Sequence, residues 1–427
     1  MVFPSFTELI VVFSDTLLTW GWVFVLFLAL WIAWESYKLL KHIDYVSAIE
    51  WTFIQVAVPE ESAQTPKAFE NCIEVIGGIH KDPDIIERLF EGYFLPWYSC
   101  ELQCTRDRAR YIMVVPTPHR KLIEGVIYGQ YPLAEIKEVE DYSLEFDYRD
   151  IGKKFEMWGS EIVNVADDFK PIRTYLEFED KLAEDDRFID PHQSLVEAFT
   201  HINDGEHFWV QVLIKPVSAE VIDAWATKGQ DEIAELSGQK IEKSTGILAQ
   251  AFGLLGSIPG ELFQAFMAGP KEATPSKPEP LRLKFPNPAE DAAMKGILAK
   301  VSRNGYKTKI RVMHLAPVGK LHKPNYGKAI GAFKQFNSFN LNSLKPDGAT
   351  KTNGPNFILK QYRRAYRMRS ILLNYQWRDF WGDDSGFMMS AEELATLYHF
   401  PVKYVKSPSV ERSAAGVSSP PSNVPYA

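Results

Sequence analysis

YSCELQCTRDRARYIMVV, residues 98–115, reads as a β-hairpin. Tyr98, Cys100, Leu102 and Cys104 alternate with Ser99, Glu101 and Gln103, the chain turns through Arg106, Asp107 and Arg108, and Tyr111 to Val115 returns as a second strand. Alternation of period two places the apolar set on one face of a sheet and the polar set on the other. Cys100 and Cys104 share the apolar side and have no histidine at a ligand spacing, so they read as small core residues rather than a metal site. Upstream, Trp51 to Val58 is a β-branched and aromatic run ended by Pro59. Thr65 and Pro66 then open a helix carrying Phe69, Cys72, Ile73 and Ile76, which stops at Gly77 and Gly78. Downstream, Thr117 and Pro118 open a helix with Leu122, Ile123, Val126 and Ile127, and Ala134 to Val139 closes as a strand. The order βαββαβ predicts an α+β fold, with a ferredoxin-like unit over residues 51–142.

A second ferredoxin-like unit is expected over residues 153–401. Lys153 to Val165, Ile172 to Phe178 and Phe208 to Ile214 read as strands, and Pro191 to Thr200 as a short helix. A helical insertion over 218–302 follows. It contains the apolar stretch Ile247 to Phe266, broken by Gly253, Gly256, Pro259 and Gly260, and a proline-rich linker from Gly269 to Pro280. The apolar stretch has two readings, a segment lying on a membrane surface or a helix pair packed on the core. The pattern resumes where Tyr306, Thr308, Ile310 and Val312 alternate with Lys307, Lys309 and Arg311, and a helix follows over Tyr326 to Phe336. Residues 406–427, rich in Ser, Pro and Val, read as a disordered tail.

Ahead of both units lies LLTWGWVFVLFLALWIAW, residues 17–34, apolar throughout except for Thr19. Eighteen residues at ~1.5 Å rise cover ~27 Å, enough for one transmembrane helix. Trp20, Trp22, Trp31 and Trp34 sit near its ends, where amphipathic rings favour the headgroup zone. Glu8 and Asp15 precede the span and Lys38 and Lys41 follow it. The positive-inside rule therefore puts residues 1–16 outside the cell membrane and the bulk of a single-pass chain in the cytoplasm, beyond a juxtamembrane helix at 35–50.

Composition bounds the function. With 46% hydrophobic and 24% charged residues among 427, the chain is neither wholly disordered nor polytopic, and three cysteines are too few for a disulfide framework. The net charge of −8 hides an asymmetry: residues 282–378 hold 20 Lys+Arg against 3 Asp+Glu, whereas residues 1–281 carry a net −22. A basic region of this size attracts phosphate or an acidic partner, or pairs with the acidic half of its own chain. No G-x-S-x-G, H-E-x-x-H or G-x-G-x-x-G motif is present. Asp185-Asp186 and Asp383-Asp384 read as solvated turns. The expectation is a protein that is not an enzyme, with no catalytic residue, cofactor or metal. Arg303, Lys307, Lys309, Arg311, Lys360, Arg363, Arg364, Arg367 and Arg369, interleaved with Tyr306, Tyr362 and Tyr366, are the candidates for neutralising phosphates and stacking bases. The alternative is a structural scaffold whose basic face docks on acidic protein or anionic lipid.

Two stretches carry a resemblance. LVEAFTHINDGEHFWVQVLIKP (195–216), through Gly205, Glu206, Gln211 and Pro216, resembles the N-terminal parts of type IV secretion coupling proteins and HerA-type DNA-translocating ATPases. MSAEELATLYHFP (389–401), through Glu392, Glu393, Leu394, Ala395, Thr396, Leu397, His399 and Pro401, resembles the stretch that ends the same region just before the ATPase core. The phosphate-cradling G-x-x-x-x-G-K-[ST] loop of such motors is missing, so the resemblance implies the membrane-proximal platform without the motor. The partner it implies is a separate motor ATPase; further copies of the chain, and nucleic acid on the basic stretch, are the other candidate partners.

Overall fold

A computed structural model of the chain describes residues 6–59, 64–79, 84, 86–93, 95–178, 190–238, 287–322, 324–353, 359–380 and 386–401. The apolar stretch 247–266, the linker 269–280, the tail 406–427 and the pairs Asp185-Asp186 and Asp383-Asp384 lie outside the described residues.

The first helix, α1, runs unbroken over Phe6–Ser47. Within it, Gly21–Ser47 has a window of mean hydropathy 1.7 with nothing buried, long and apolar enough to cross a membrane. Residues 35–47 of the expected juxtamembrane helix are helical and continue α1 without a break. No glycine or proline follows Gly21 to interrupt α1, which continues to Ser47.

The remaining elements are β1 (Trp51–Ala57), α2 (Pro66–Gly77), β2 (Tyr98–Thr105), β3 (Arg108–Pro116), α3 (Arg120–Gln130) and β4 (Glu135–Glu138) in the first half. The second half has β5 (Phe155–Asn164), α4 (Pro191–Thr200), β6 (His207–Lys215), α5 (Ala219–Leu236), α6 (Pro288–Val301), β7 (Gly305–Pro317), α7 (Pro324–Lys334), β8 (Leu344–Pro346), α8 (Lys360–Gln376), β9 (Phe387–Ser390) and α9 (Ala391–Leu397). The strands form one antiparallel sheet in the order β4-β1-β3-β2-β6-β7-β5-β8. β9 lies in line with β5 along one edge of β7, pairing with Gly305–Thr308 while β5 pairs with Ile310–Pro317.

With β9 set aside, each half has four strands in the spatial order fourth, first, third, second, and the two orders run in opposite directions from the seam where β2 pairs with β6. Glu101 lies opposite Gln211 in that seam, and Leu102 opposite Val210. The hairpin at 98–115 sets this up: its apolar alternation builds one face and its polar alternation the other. On the apolar face, α2, α3, α4, α7 and α9 close a core that includes Phe69, Ile73, Cys100, Leu102, Phe199, Val212 and Leu394. The three cysteines are free and buried there, and burial pushes the Cys72 thiol up to about 12. On the opposite face α8 lays Met368, Ile371, Leu372 and Tyr375 against Trp209, Met157, Met313 and Leu315.

Two local expectations change. Ile172–Phe178 is not a strand but an irregular segment ending in a 3-10 turn over Tyr175–Phe178. Two of its backbone N–H groups find side chains instead of a ladder, Ile172 donating to Glu393 Oε1 and Tyr175 to Thr396 Oγ1. Of the insertion, the described parts are α5 and α6, which pack together closely. A Cβ on Gly229 of α5 would fall 2.6 Å from Val301, and Asn287 caps α6 reciprocally with Glu290.

Two buried histidines set an acid limit. Burial, with His399 adding to it, lowers His192 to about 3, and burial lowers His314 to about 4 despite Glu206 at 3.6 Å. Both folded values lie below the ordinary 6.5, so the unfolded chain binds more protons. The stability gained by keeping these rings neutral is complete above pH 6.5 and is lost as pH falls toward 4. Stability should hold between pH 7 and 8 and decline below 6.5, by up to about 1.4 kcal/mol per pH unit for each histidine. Denaturant titrations at stepped pH check this. His192→Gln and His314→Gln should each flatten the slope, and an unchanged slope would assign it to carboxylates.

Candidate nucleic-acid interface

The sequence of α8, KQYRRAYRMRSILLNYQ, holds five cations and no carboxylate. Its apolar residues fall at i, i+3, i+4 and i+7 from Met368, which fixes the side that faces the sheet. The first half is left outside. Lys360, Arg363 and Arg364 are exposed. Tyr362 and Tyr366 are 77% and 73% exposed and, one turn apart, share a face. Arg369 is exposed with its guanidinium 4.5 Å from the centre of the Tyr148 ring, and half-buried Arg367 donates to the Lys351 carbonyl at 2.9 Å. None of Lys360, Arg363, Arg364 and Arg369 is ion-paired to a carboxylate among the described residues.

The direction of α8 decides what its basic half faces. The chain leaves α1 for β1 at Trp51, at the end of the sheet marked by Tyr98, Ile214 and Lys307. The carbonyls of Asn374 and Asp379 bind Arg311, and Phe380 then packs with Trp97 beside Tyr45 and Val46 of α1. The C-terminal end of α8 therefore points to the α1 junction. Seventeen residues make a helix about 25 Å long, so the half bearing Lys360 to Tyr366 points away from that junction.

The structure does not bring the β7 cations onto this surface. Arg311 is fully buried, donating to Glu161 at 3.0 Å, to Gln211 Oε1 at 2.9 Å and to the two carbonyls above. Lys309 lies half-buried 5.1 Å from the centre of the Phe380 ring, and burial, then Arg311, lowers its pKa. Lys307 is half-buried opposite Met388 of β9. Arg303 is ion-paired to Glu392 and lies 3.7 Å from Glu70. Tyr306 is buried, its hydroxyl donating to the Ile73 carbonyl, so it offers no stacking face.

The motif residues form joints. Gly205 takes φ +78 in the turn before β6, where a side chain would be strained. Glu206 is buried and accepts from the Asn203 N–H, Asn325 Nδ2 and the His322 N–H. Pro216 is buried just after β6. Glu393 caps α9 in a reciprocal box with Ser390 and forms a buried ion pair with Lys300 at 2.9 Å. Leu394 is core, Thr396 bonds the Glu392 carbonyl and the Tyr175 N–H, and Pro401 is buried. His399 is buried with Nδ1 at 2.7 Å from the Ala395 carbonyl and Nε2 at 3.2 Å from Asp190.

The sequence reading missed a buried polar cluster at the β2–β6 seam, where Glu101 takes Arg378, Gln211, Ser99 and Tyr142 as partners. Its one visible signal was a carboxylate on the polar side of the hairpin. Among the described residues no group of three His, Cys, Asp or Glu side chains is placed to hold a metal ion.

Residues 99–413, from β2 to beyond α9, match a family model described as a domain of unknown function, DUF8128. The chain belongs to that family. No curated protein matches it.

Proposed function

We propose that this protein is a membrane-anchored, non-catalytic platform that holds single-stranded nucleic acid on α8, beside a separate motor ATPase in a type IV secretion-like DNA-transfer system. In this reading α1 crosses the cell membrane once with its N-terminus outside, and the two halves of the sheet are ferredoxin-like units in the cytoplasm. The repeated βαββαβ order with its fourth-first-third-second arrangement supports the ferredoxin-like reading. The likeness of residues 195–216 and 389–401 to coupling proteins supports the platform.

The observation that carries the nucleic-acid reading is the exposed row Tyr362, Arg363, Arg364 and Tyr366. Aromatic faces stack successive bases without regard to sequence, and guanidinium groups beside them neutralise the backbone. Anionic lipid fits less well, because the row points away from the α1 junction and a charge more than about 10 Å from the headgroups is largely screened.

Fluorescence anisotropy of a labelled poly-dT oligonucleotide with the full chain in neutral-lipid nanodiscs, at several salt concentrations, tests this. Affinity should fall with salt at about −0.7 in logarithmic slope per phosphate neutralised, and each of Arg363→Ala and Arg364→Ala should reduce the slope by about 0.7. No binding at the lowest salt leaves the scaffold with a protein partner as the reading.

A further inference from the structure

The turn at Glu87–Glu91 has a geometry that the nucleic-acid reading does not use. It is a single π-helical turn closed by Gly92 at φ +68, and it packs on α1. A Cβ at Gly92 would fall 2.4 Å from the Lys41 carbonyl oxygen, so both the backbone angle and the approach require glycine. Just beyond, the Tyr93 ring meets Tyr45 of α1 at 5.3 Å between centroids.

Although the turn is held against α1, Phe90 within it and Ile86 just before it are exposed, at 57% and 61%. On α1 beside it, Leu39, Leu40 and Ile43 are also exposed. The exposed apolar surface of α1 therefore does not stop at Trp34. It continues to Ile43 and passes onto the neighbouring turn, where an aqueous surface gives it no reason to persist.

The position along α1 identifies what covers it. Lys41 lies seven residues, or ~10 Å, past Trp34 along the helix axis, still inside the stretch Gly21–Ser47 that is apolar enough to cross a membrane. The cations at this level bend back along the helix. Lys38 is ion-paired to Glu35 at 2.7 Å, and Lys41 lies 5.9 Å from the centre of the Tyr37 ring, leaving the apolar side chains to face outward.

We propose that the turn at residues 86–91 is a second membrane contact, seated through Ile86 and Phe90 at the headgroup–acyl boundary of the leaflet that α1 leaves. The sheet is then held at a fixed tilt to the bilayer instead of swinging on α1. This rests on the reading of α1 as a membrane span.

The test places an environment-sensitive fluorophore on Phe90→Cys in the full chain in nanodiscs, the native cysteines being buried. Leu26→Cys in α1 and Phe339→Cys, a fully exposed site on the body, serve as references. The label at position 90 should emit at shorter wavelength than that at 339, and shallow doxyl lipids should quench it several-fold more strongly. Emission and quenching equal to those at 339 would overturn the proposal. So would a blue-shifted label that lipid fails to quench, which would place protein over the turn. Position 26 separates the two ideas: quenching there without quenching at 90 refutes the second contact alone, and no quenching at 26 refutes the span itself.

Discussion

Replacing Arg378 with methionine should cost the folded chain about 3–5 kcal/mol. The guanidinium is 2% exposed and donates through Nε to Glu101 Oε1 at 3.0 Å, through Nη2 to Glu101 Oε2 at 3.2 Å and Asp141 at 2.9 Å, and to the Gln376 carbonyl. Glu101 itself is wholly buried, and Ser99, Gln211 and Tyr142 can donate to it but bring no positive charge. Removing the cation leaves a buried carboxylate uncompensated, the situation in which breaking an ion pair is most expensive. Replacing both partners by apolar groups avoids that penalty, so Glu101→Met added to Arg378→Met should recover part of the loss. Arg363→Ala, at an exposed site on α8, should stay within about 0.5 kcal/mol of the parent. Denaturant unfolding of the full chain in detergent measures all three. A loss below about 1 kcal/mol for Arg378→Met would mean that the seam does not depend on this charge balance.

The second large effect is expected at Tyr362 and Tyr366. Base stacking on an aromatic side chain is worth about 1–3 kcal/mol by alanine substitution, so the double change to alanine should weaken single-strand binding about 30-fold or more. Tyr362→Phe with Tyr366→Phe should retain most of the affinity, because the ring is kept. The salt slope should hardly move in either pair, since neither removes a charge.

What could be read from the sequence was local. The hairpin at 98–115 and the helices opening at Thr65-Pro66 and Thr117-Pro118 follow from periodicity and turn chemistry within a few residues, whereas Lys360 to Arg369 could be named as cations but their exposure on α8 could not be read. The β2–β6 seam was not legible, because two strands more than 100 residues apart leave no mark on each other's pattern. Lys307, Lys309 and Arg311 show the same limit at a candidate site. Alternation says that they share one face of β7 but not whether that face is wet. Phe380 and the end of α8 cover it, so Arg311 serves Glu161 and Gln211 rather than a phosphate. The continuity of α1 past residue 34 was not legible because the polar residues that follow Trp34 look like a change of element.

The claim that α8 is where nucleic acid rests is tested most directly by photocrosslinking. A bromouracil-substituted single strand, irradiated with the full chain in nanodiscs at low salt and mapped by mass spectrometry, should attach at Tyr362 or Tyr366, and the attachment should disappear when unlabelled single strand competes. Attachment confined to other segments, or none at a salt concentration where anisotropy shows binding, would contradict it.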